Sequence, residues 1–453
     1  MSESKPTSEI KKIIYASPRF GINLFMGLVD FALLYLYKEV YELSGIFVGI
    51  SLMLGKFSAG IFQFIIPWSS DHLSSKWGKR KPFIVIMSPI LTITFIMLLL
   101  PGIFLGANPP ELELFSWFAI FNVISQGSYA MTTIYHSWTA EQFPVYERPK
   151  VSQYQNLFNY AAMALVTIFS MLVLTGVKDQ LKTDPTKIPS DYLFSIIIFA
   201  AIMIALVLIC VFYMPIEKTP KYSTGFKEEF RKIIKNKNFI NMTFIQGFSS
   251  LSWAMINAVL LSYVDVVLHL EGMNLYIAAG IIFLALILAV IFWRKQIEVI
   301  GKKKTLLIIF LFGICVPPFS LLGIFPFSTN IIFGAIFLSF VAAMMSGWSL
   351  FPYIIYPDLA QDAEKREGEL KTGLYQGFPS LILNIFQALS LLLTGWLLDL
   401  PKISNGVGEP FTLGYVLWGP LCVVFFLFIF WFVKYFVQLD FDWEKDEKAK
   451  ISK

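Results

Sequence analysis

The sequence predicts an all-α polytopic membrane protein whose twelve transmembrane helices form two pseudo-symmetric six-helix bundles. Three observations point there: composition, the length of the apolar runs, and a repeat at about half the chain. Of 453 residues, 56% are apolar, 17% aromatic and only 15% charged, with a mean hydropathy of +0.66. Soluble domains carry about 25% charged and 45–50% apolar residues, so a soluble enzyme, a secreted disulfide scaffold and a disordered chain are all excluded. A bilayer-spanning helix needs about 20 consecutive apolar residues, and runs of that length recur along the chain.

The runs occupy 20–41, 45–67, 83–105, 114–136, 153–176, 192–214, 240–264, 273–293, 305–325, 330–356, 373–398 and 413–437. Inside lipid only helices and closed barrels satisfy every backbone group, and these runs are too long for barrel strands. The polar stretch 1–19 has no cleavable-signal pattern, so the first span is expected to stay as an anchor.

Charge sets the expected orientation. Thirty Lys and Arg fall in the two tails and the loops on their side, against five on the other side: Lys38, Lys178, Lys182, Lys187 and Lys402. By the positive-inside rule both termini are cytoplasmic, and a plasma-membrane location is expected. The same distribution explains the net charge of +5 without nucleic acid. The domain reading follows: a cytoplasmic tail 1–19, an N-terminal bundle 20–214, a basic linker 215–239, a C-terminal bundle 240–437 and a cytoplasmic tail 438–453. Within the linker, Phe226, Phe230, Ile233 and Ile234 recur at helical spacing opposite Lys227, Arg231, Lys232 and Lys235, which predicts a short amphipathic helix on the inner leaflet.

Two loop pairs repeat across the halves. Trp77-Gly78-Lys79-Arg80-Lys81 lies after the second span and Ile300-Gly301-Lys302-Lys303-Lys304 after the eighth, an offset of 223 between the glycines. Lys150-Val151-Ser152-Gln153-Tyr154-Gln155 opens the fifth span and Lys371-Thr372-Gly373-Leu374-Tyr375-Gln376 the eleventh, at an offset of 221. Duplicated bundles suit alternating access, with the substrate held near the midplane.

The segment Ser70–Pro82, with Trp77-Gly78-Lys79-Arg80-Lys81-Pro82-Phe83, resembles the loop signature of the major facilitator superfamily (the MFS fold). In particular it resembles the glycoside–pentoside–hexuronide:cation symporters, typified by melibiose permease. Glu147-Arg148 and the stretch from Asp358 to Gly377, with Arg366-Glu367-Gly368 and Tyr375, extend the likeness over about residues 13–437. The resemblance implies uptake of a sugar or glycoside coupled to a cation, H⁺ or Na⁺. It also implies a cytoplasmic gate of ion pairs drawn from Asp71, Lys79, Arg80, Lys81, Glu147, Arg148, Asp358, Arg366 and Glu367. Charges on facing loops can pair in one state and separate in another, as a gate requires. Ala59 and Gln63 stand where melibiose permease carries its cation-binding carboxylates, which favours a proton over sodium.

Two ionisable residues fall within spans. Asp30 precedes the end of the first span at Tyr41 by 11 residues, and Lys56 follows the start of the second at Gly45 by 11. At 1.5 Å per residue both lie about 16 Å below the same hairpin, so they are expected to pair, either as the ion-coupling site or as a static pair that fixes the two helices. The candidate substrate contacts are amides and aromatics at similar depth: Asn23, Gln63, Asn122, Gln126, Gln155 and Asn159 in the first half. In the second half they are Gln246, Trp253, Asn257, Trp348, Tyr353, Gln376 and Asn384. Amides suit sugar hydroxyls and aromatic rings suit their C–H faces, although polar residues also hold transmembrane helices together.

Cys210, Cys315 and Cys422 sit in different apolar runs and the three histidines are dispersed along the chain, so neither a disulfide framework nor a metal site is predicted. Gly49 to Lys56 has the wrong glycine spacing for a phosphate loop, and Phe57 stands where Ser or Thr is needed, so ATP is not expected. Pro317-Pro318 and Gly377-Phe378-Pro379 predict helix breaks. The reading is a secondary transporter of a sugar or glycoside, without cofactor and not an enzyme. A lipid or lysolipid transporter on the same fold and a non-transporting membrane sensor are the alternatives.

Overall fold

The computed structural model describes residues 7–73, 75–143, 147–216, 234–367 and 372–439. Each predicted span is helical. In the first half α1 comprises Glu9–Phe31 and Leu33–Val40, and its two parts meet at 44°. Then follow α2 (Gly45–His72), α3 (Lys81–Leu99), α4 (Glu111–Ser128, continued by Met131–Gln142), α5 (Arg148–Ile168) and α6 (Ser190–Tyr213). The second half has α7 (Lys237–Ser262), α8 (Gly272–Ile300), α9 (Lys302–Cys315), α10 (Ile331–Glu367), α11 (Thr372–Leu397) and α12 (Gly414–Phe436). Among the described residues ten helices are long and apolar enough to cross a membrane, and bent α1 makes eleven. The remaining one, α4, is interrupted at Tyr129-Ala130 and carries Asn122, Ser125, Gln126 and Ser128.

Several boundaries differ from the sequence reading. Residues 9–19 are not a tail: Ser8 caps the helix at Lys11, and Tyr15 and Ala16 are fully buried against neighbouring helices. The predicted amphipathic helix around Phe226, Phe230 and Ile233 lies outside the described residues. The break at Pro317 is present, since the chain passes there into a 3₁₀ segment, Pro317–Ile324. That at Pro379 is not: α11 continues through it. Three helices widen into π turns that periodicity gives no hint of: Leu36–Val40 at the end of α1, Phe169–Leu174 after α5 and Tyr263–Val267 after α7.

The chain divides into two units. One is Met1–Tyr222 with Asn257–Leu261 and Leu391–Trp396; the other is Ser223–Ile256 with Ser262–Ser390 and Leu397–Lys453. In the first, α2 packs on α4, α1 on α5, and α3 on both α4 and α6. In the second, α8 packs on α10 and α9 on α12. The pairs α2–α4 and α3–α6 thus return six helices later, the pattern that a duplicated unit produces.

Polar contacts hold the first unit. Asn122, fully buried on α4, donates from Nδ2 to the Ser51 carbonyl of α2 at 2.9 Å. Gly55 makes that approach possible, because a Cβ there would lie 2.2 Å from Asn122 Nδ2. In the second unit the Tyr263 hydroxyl donates to the Ser320 carbonyl at 3.0 Å, and Ser320 Oγ donates to the Val416 carbonyl at 2.7 Å, tying α7, the 3₁₀ segment and α12 together. Outward faces are apolar: α8 exposes Phe283, Leu284, Leu288, Ile291 and Phe292, as a lipid-facing helix does.

Replacing Asn122 by Ala should destabilise the protein by about 1 kcal/mol, the usual worth of an interhelical hydrogen bond in a membrane protein. Gly55→Val should cost more, about 1–3 kcal/mol, because it overpacks the same contact. Thermal unfolding of the purified protein in nanodiscs checks the order.

Candidate functional site

Asp30 and Lys56 meet. Lys56 Nζ lies 2.6 Å from Asp30 Oδ1; the lysine side chain is 6% exposed and the aspartate 36%. A charge at the centre of a membrane helix costs about 2.5–3.5 kcal/mol even on lenient scales, and the facing charge offsets much of this. The bend in α1 begins immediately after Asp30, at Phe31-Ala32. The carboxylate therefore sits beside a helix discontinuity, partly exposed, with one ion-pair partner among the described residues. Gln63, two turns along α2 from Lys56, is half-buried.

A second polar network joins α1, α4 and α5. Arg19 Nη1 is 2.8 Å from His136 Nε2. Gln155 Nε2 donates to the Tyr135 hydroxyl at 3.0 Å, and that hydroxyl donates to the Tyr15 carbonyl. Tyr15 answers with a 2.6 Å bond to the Tyr135 carbonyl, and the two rings stack with centroids 5.0 Å apart.

The basic loop after α2 is held inside the first unit. Glu141, at the end of α4, accepts from Lys79 at 2.9 Å and Arg80 at 3.0 Å; both cations are nearly or wholly buried. Lys81 donates to the Met214 carbonyl at the end of α6 at 2.6 Å. Glu147, ahead of α5, accepts from the Thr7 amide at 2.9 Å with Lys12 at 3.8 Å. Burial raises the Glu147 pKa, but the Thr7 hydrogen bonds and the Lys12 charge outweigh it and hold the carboxyl below its ordinary value. Glu9 gathers Lys150 at 2.9 Å, Lys12 at 3.2 Å and the Tyr154 hydroxyl at 2.8 Å.

Other candidates have different placements. Asn122 and Gln126 are buried between helices, at 0% and 1% exposure, so Asn122 serves packing rather than a solvent-reached face. Asn23 and Asn384 each bond the carbonyl four residues back in their own helix, to Arg19 at 2.7 Å and Ser380 at 2.8 Å. Gln246 is largely buried, while Asn159 and Asn257 are half-buried. Trp253 and Trp348 come together, their rings nearly parallel with centroids 6.0 Å apart, and Phe426 meets Trp253 edge-on at 5.1 Å. The side chains of Asp71, Arg148, Tyr353, Asp358, Arg366, Glu367 and Gln376 lie outside the described residues. The sequence reading misses Glu141, Arg19 and His136. Glu141 carries a signal, an acid at the membrane end of a span facing a basic loop. Arg19 stays hidden when the first span is read as starting one residue later.

A family model described as MFS/sugar transport protein matches residues 14–437. The chain belongs to this family. Its fold and family are those of secondary transporters rather than enzymes. Among curated relatives, it is 23% identical over 189 residues to the human major facilitator superfamily domain-containing protein 12, covering 40% of this chain and 39% of that protein. It is 24% identical over 172 residues to an uncharacterized symporter of Synechocystis sp., covering 37% of this chain and 32% of the other. The matches thus span about a third of these relatives' lengths or slightly more. Solved structures share the fold. A D-xylose-proton symporter superposes with a TM-score of 0.66 at 17% identity, over 95% of this chain and 99% of that one. A point mutant of the nucleoside transporter NupG gives 0.63 at 13% identity, over 95% and 100%. The MFS/sugar transport assignment, together with the long apolar helices, makes this an integral membrane protein.

Glu141→Ala should strip Lys79 and Arg80 of their shared carboxylate and cost about 3–5 kcal/mol, the range for breaking a buried ion pair. Chemical denaturation in micelles measures it. Glu147 has a depressed folded pKa, so its contribution is present above the ordinary value of 4.5 and is lost as pH falls below it. Glu147→Gln should therefore melt lower than wild type at pH 7, with the difference shrinking as the pH is brought down through the acid range.

Proposed function

We propose that the protein carries a sugar or glycoside across the plasma membrane by alternating access, with both termini in the cytoplasm and a proton gradient as the driving force. The observation that carries this reading is the Asp30–Lys56 pair, 2.6 Å apart between two membrane helices and next to the α1 bend. A partly exposed carboxylate with one cationic partner can take up a proton, release the lysine and so couple protonation to helix movement. The sugar-transport description of the family model and the xylose-proton symporter's likeness in fold support the same reading. In this scheme the bundles 20–214 and 240–437 rock about the linker 215–239. The gate comprises Asp71, Lys79, Arg80, Lys81, Glu147 and Arg148 with Asp358, Arg366 and Glu367. Gln63, Gln155, Asn159, Trp253, Asn257 and Trp348 with Tyr353 and Gln376 contact the solute. The coupling ion in this scheme is H⁺ rather than Na⁺, since Ala59 and Gln63, about one and two turns along α2 from Lys56, carry no carboxylate.

One observation favours a lipid or lysolipid as cargo. An apolar cavity of about 540 Å³ lies between α9 and α10, lined by Leu311, Phe312, Phe319, Phe333, Phe337 and Phe340 among others, and suits an acyl chain. Uptake of a mixed sugar, glycoside and lysolipid panel into proteoliposomes, with and without an inward proton gradient, separates the readings. Accumulation of a sugar only with the gradient is expected; entry of lysolipids and no sugar would overturn the sugar reading. Asp30→Asn should lower gradient-driven accumulation at least tenfold while leaving exchange at equal pH intact. Lys56→Ala should impair both. Unchanged accumulation in both variants would mean that the pair is a static brace.

A further inference from the structure

The network joining α1, α4 and α5 contains a cation that the coupling scheme leaves unused. Arg19 lies within Glu9–Phe31, the first part of α1, and its partner among the described residues is a neutral ring, His136, at 2.8 Å. Lys12, Lys56, Lys79, Arg80 and Lys150 each face a carboxylate instead. A guanidinium can donate to Nε2 only if that nitrogen carries no proton, so the hydrogen bond assigns the imidazole proton to Nδ1. The pair then holds several N–H donors that no described residue accepts from: the rest of the guanidinium and His136 Nδ1. Nor is the pair sealed away. The His136 side chain is exposed, and Arg19 and Gln155 are half-buried.

Gln155 completes the chemistry. Its Nε2 is occupied by the Tyr135 hydroxyl, which fixes the carboxamide and leaves Oε1 as an acceptor. The neighbourhood therefore combines a permanent cation, a second donor and an oriented acceptor. The planar guanidinium fork matches a carboxylate or a phosphate through paired hydrogen bonds, while an amide oxygen accepts from a hydroxyl. Arg19 precedes Asp30 by 11 residues, about 16 Å along the helix, so the two charged sites do not compete for one partner.

We infer that Arg19, His136 and Gln155 form a binding site for the anionic group, carboxylate or phosphate, of a hydroxyl-bearing solute. This deepens the transport reading above and rests on it. Arg19 grips the anion, His136 adds its Nδ1 donor, and Gln155 accepts from a neighbouring hydroxyl. Neutral sugars use only the last of these contacts and bind more weakly.

The test uses the full-length protein in detergent and equilibrium dialysis of radiolabelled glucose, glucuronate, glucose 6-phosphate and inorganic phosphate. At least one of the two anionic sugars should bind ten times more tightly than glucose or better. Arg19→Gln should reduce that preference at least tenfold, and Arg19→Lys should restore part of it. Phenylglyoxal labelling of wild-type Arg19, read by peptide mass spectrometry, works even if the variants do not fold: the preferred anion should protect the side chain. Equal labelling with and without every soluble anion overturns the proposal, as does protection only by phosphatidylglycerol nanodiscs. Uptake of glucose with no anion binding leaves the sugar reading standing and sinks this one. Arg19 protection by phosphate, with no sugar taken up, does the reverse.

Discussion

In hydrocarbon, a polar or charged side chain has no water to fall back on and must find its partner within the protein. That constraint organises the first unit. Asp30 is tolerable in the first helix because Lys56 stands opposite, and Asn122 because the Ser51 carbonyl reaches it past Gly55; in the loop beyond α2, the buried Lys79 and Arg80 are paired in the same way by Glu141. Each contact fixes the register of two helices, since sliding one against the other would strand a charge or an amide. The helices that carry the most awkward residues are the ones most firmly placed.

The second unit meets the same demand with other materials. Its described interhelical contacts run through serine, tyrosine and tryptophan bonded to backbone carbonyls, as in Tyr263 to Ser320 and Trp293 to Ala343. Around these lies aromatic packing: Phe244, Phe248, Phe386, Phe428 and Phe432 form one cluster, and Trp253, Trp348, Phe310 and Phe426 another. The ion pairs described above lie in the first half. Asp30, Lys56 and Arg19 all reside in that half as well.

The architecture is readable in the sequence because run length, loop charge and the repeat each report on the bilayer rather than on local propensity. The Asp30–Lys56 contact is readable for the same reason: equal distance from a shared hairpin is an almost complete geometric statement. The amides are harder. Asn122 and Gln155 look alike as polar positions in membrane helices, yet one bonds a neighbouring backbone and the other, half-buried, holds a tyrosine hydroxyl. Only the rotation of each helix decides between them, and α5 carries polar residues on more than one side, Ser152, Gln153, Gln155 and Asn156, so its periodicity does not settle that rotation. Arg19 escapes for a different reason. A cation at the edge of an apolar run reads as interfacial, but the helix extends back to Glu9 and draws it in.

The π turns ending α1 and α7 occupy matching places in the two halves, Leu36–Val40 and Tyr263–Val267, and a third follows α5. Such a turn holds one residue more than its neighbours, a dislocation stored in an otherwise regular coil. A dislocation can glide: hydrogen bonds break and reform locally while the helix ends stay where they are. Each residue that it passes is re-aimed by about 100°, the angular step of an α-helix. A helix built this way can turn a side chain from one surface to another by a screw motion confined to a single turn.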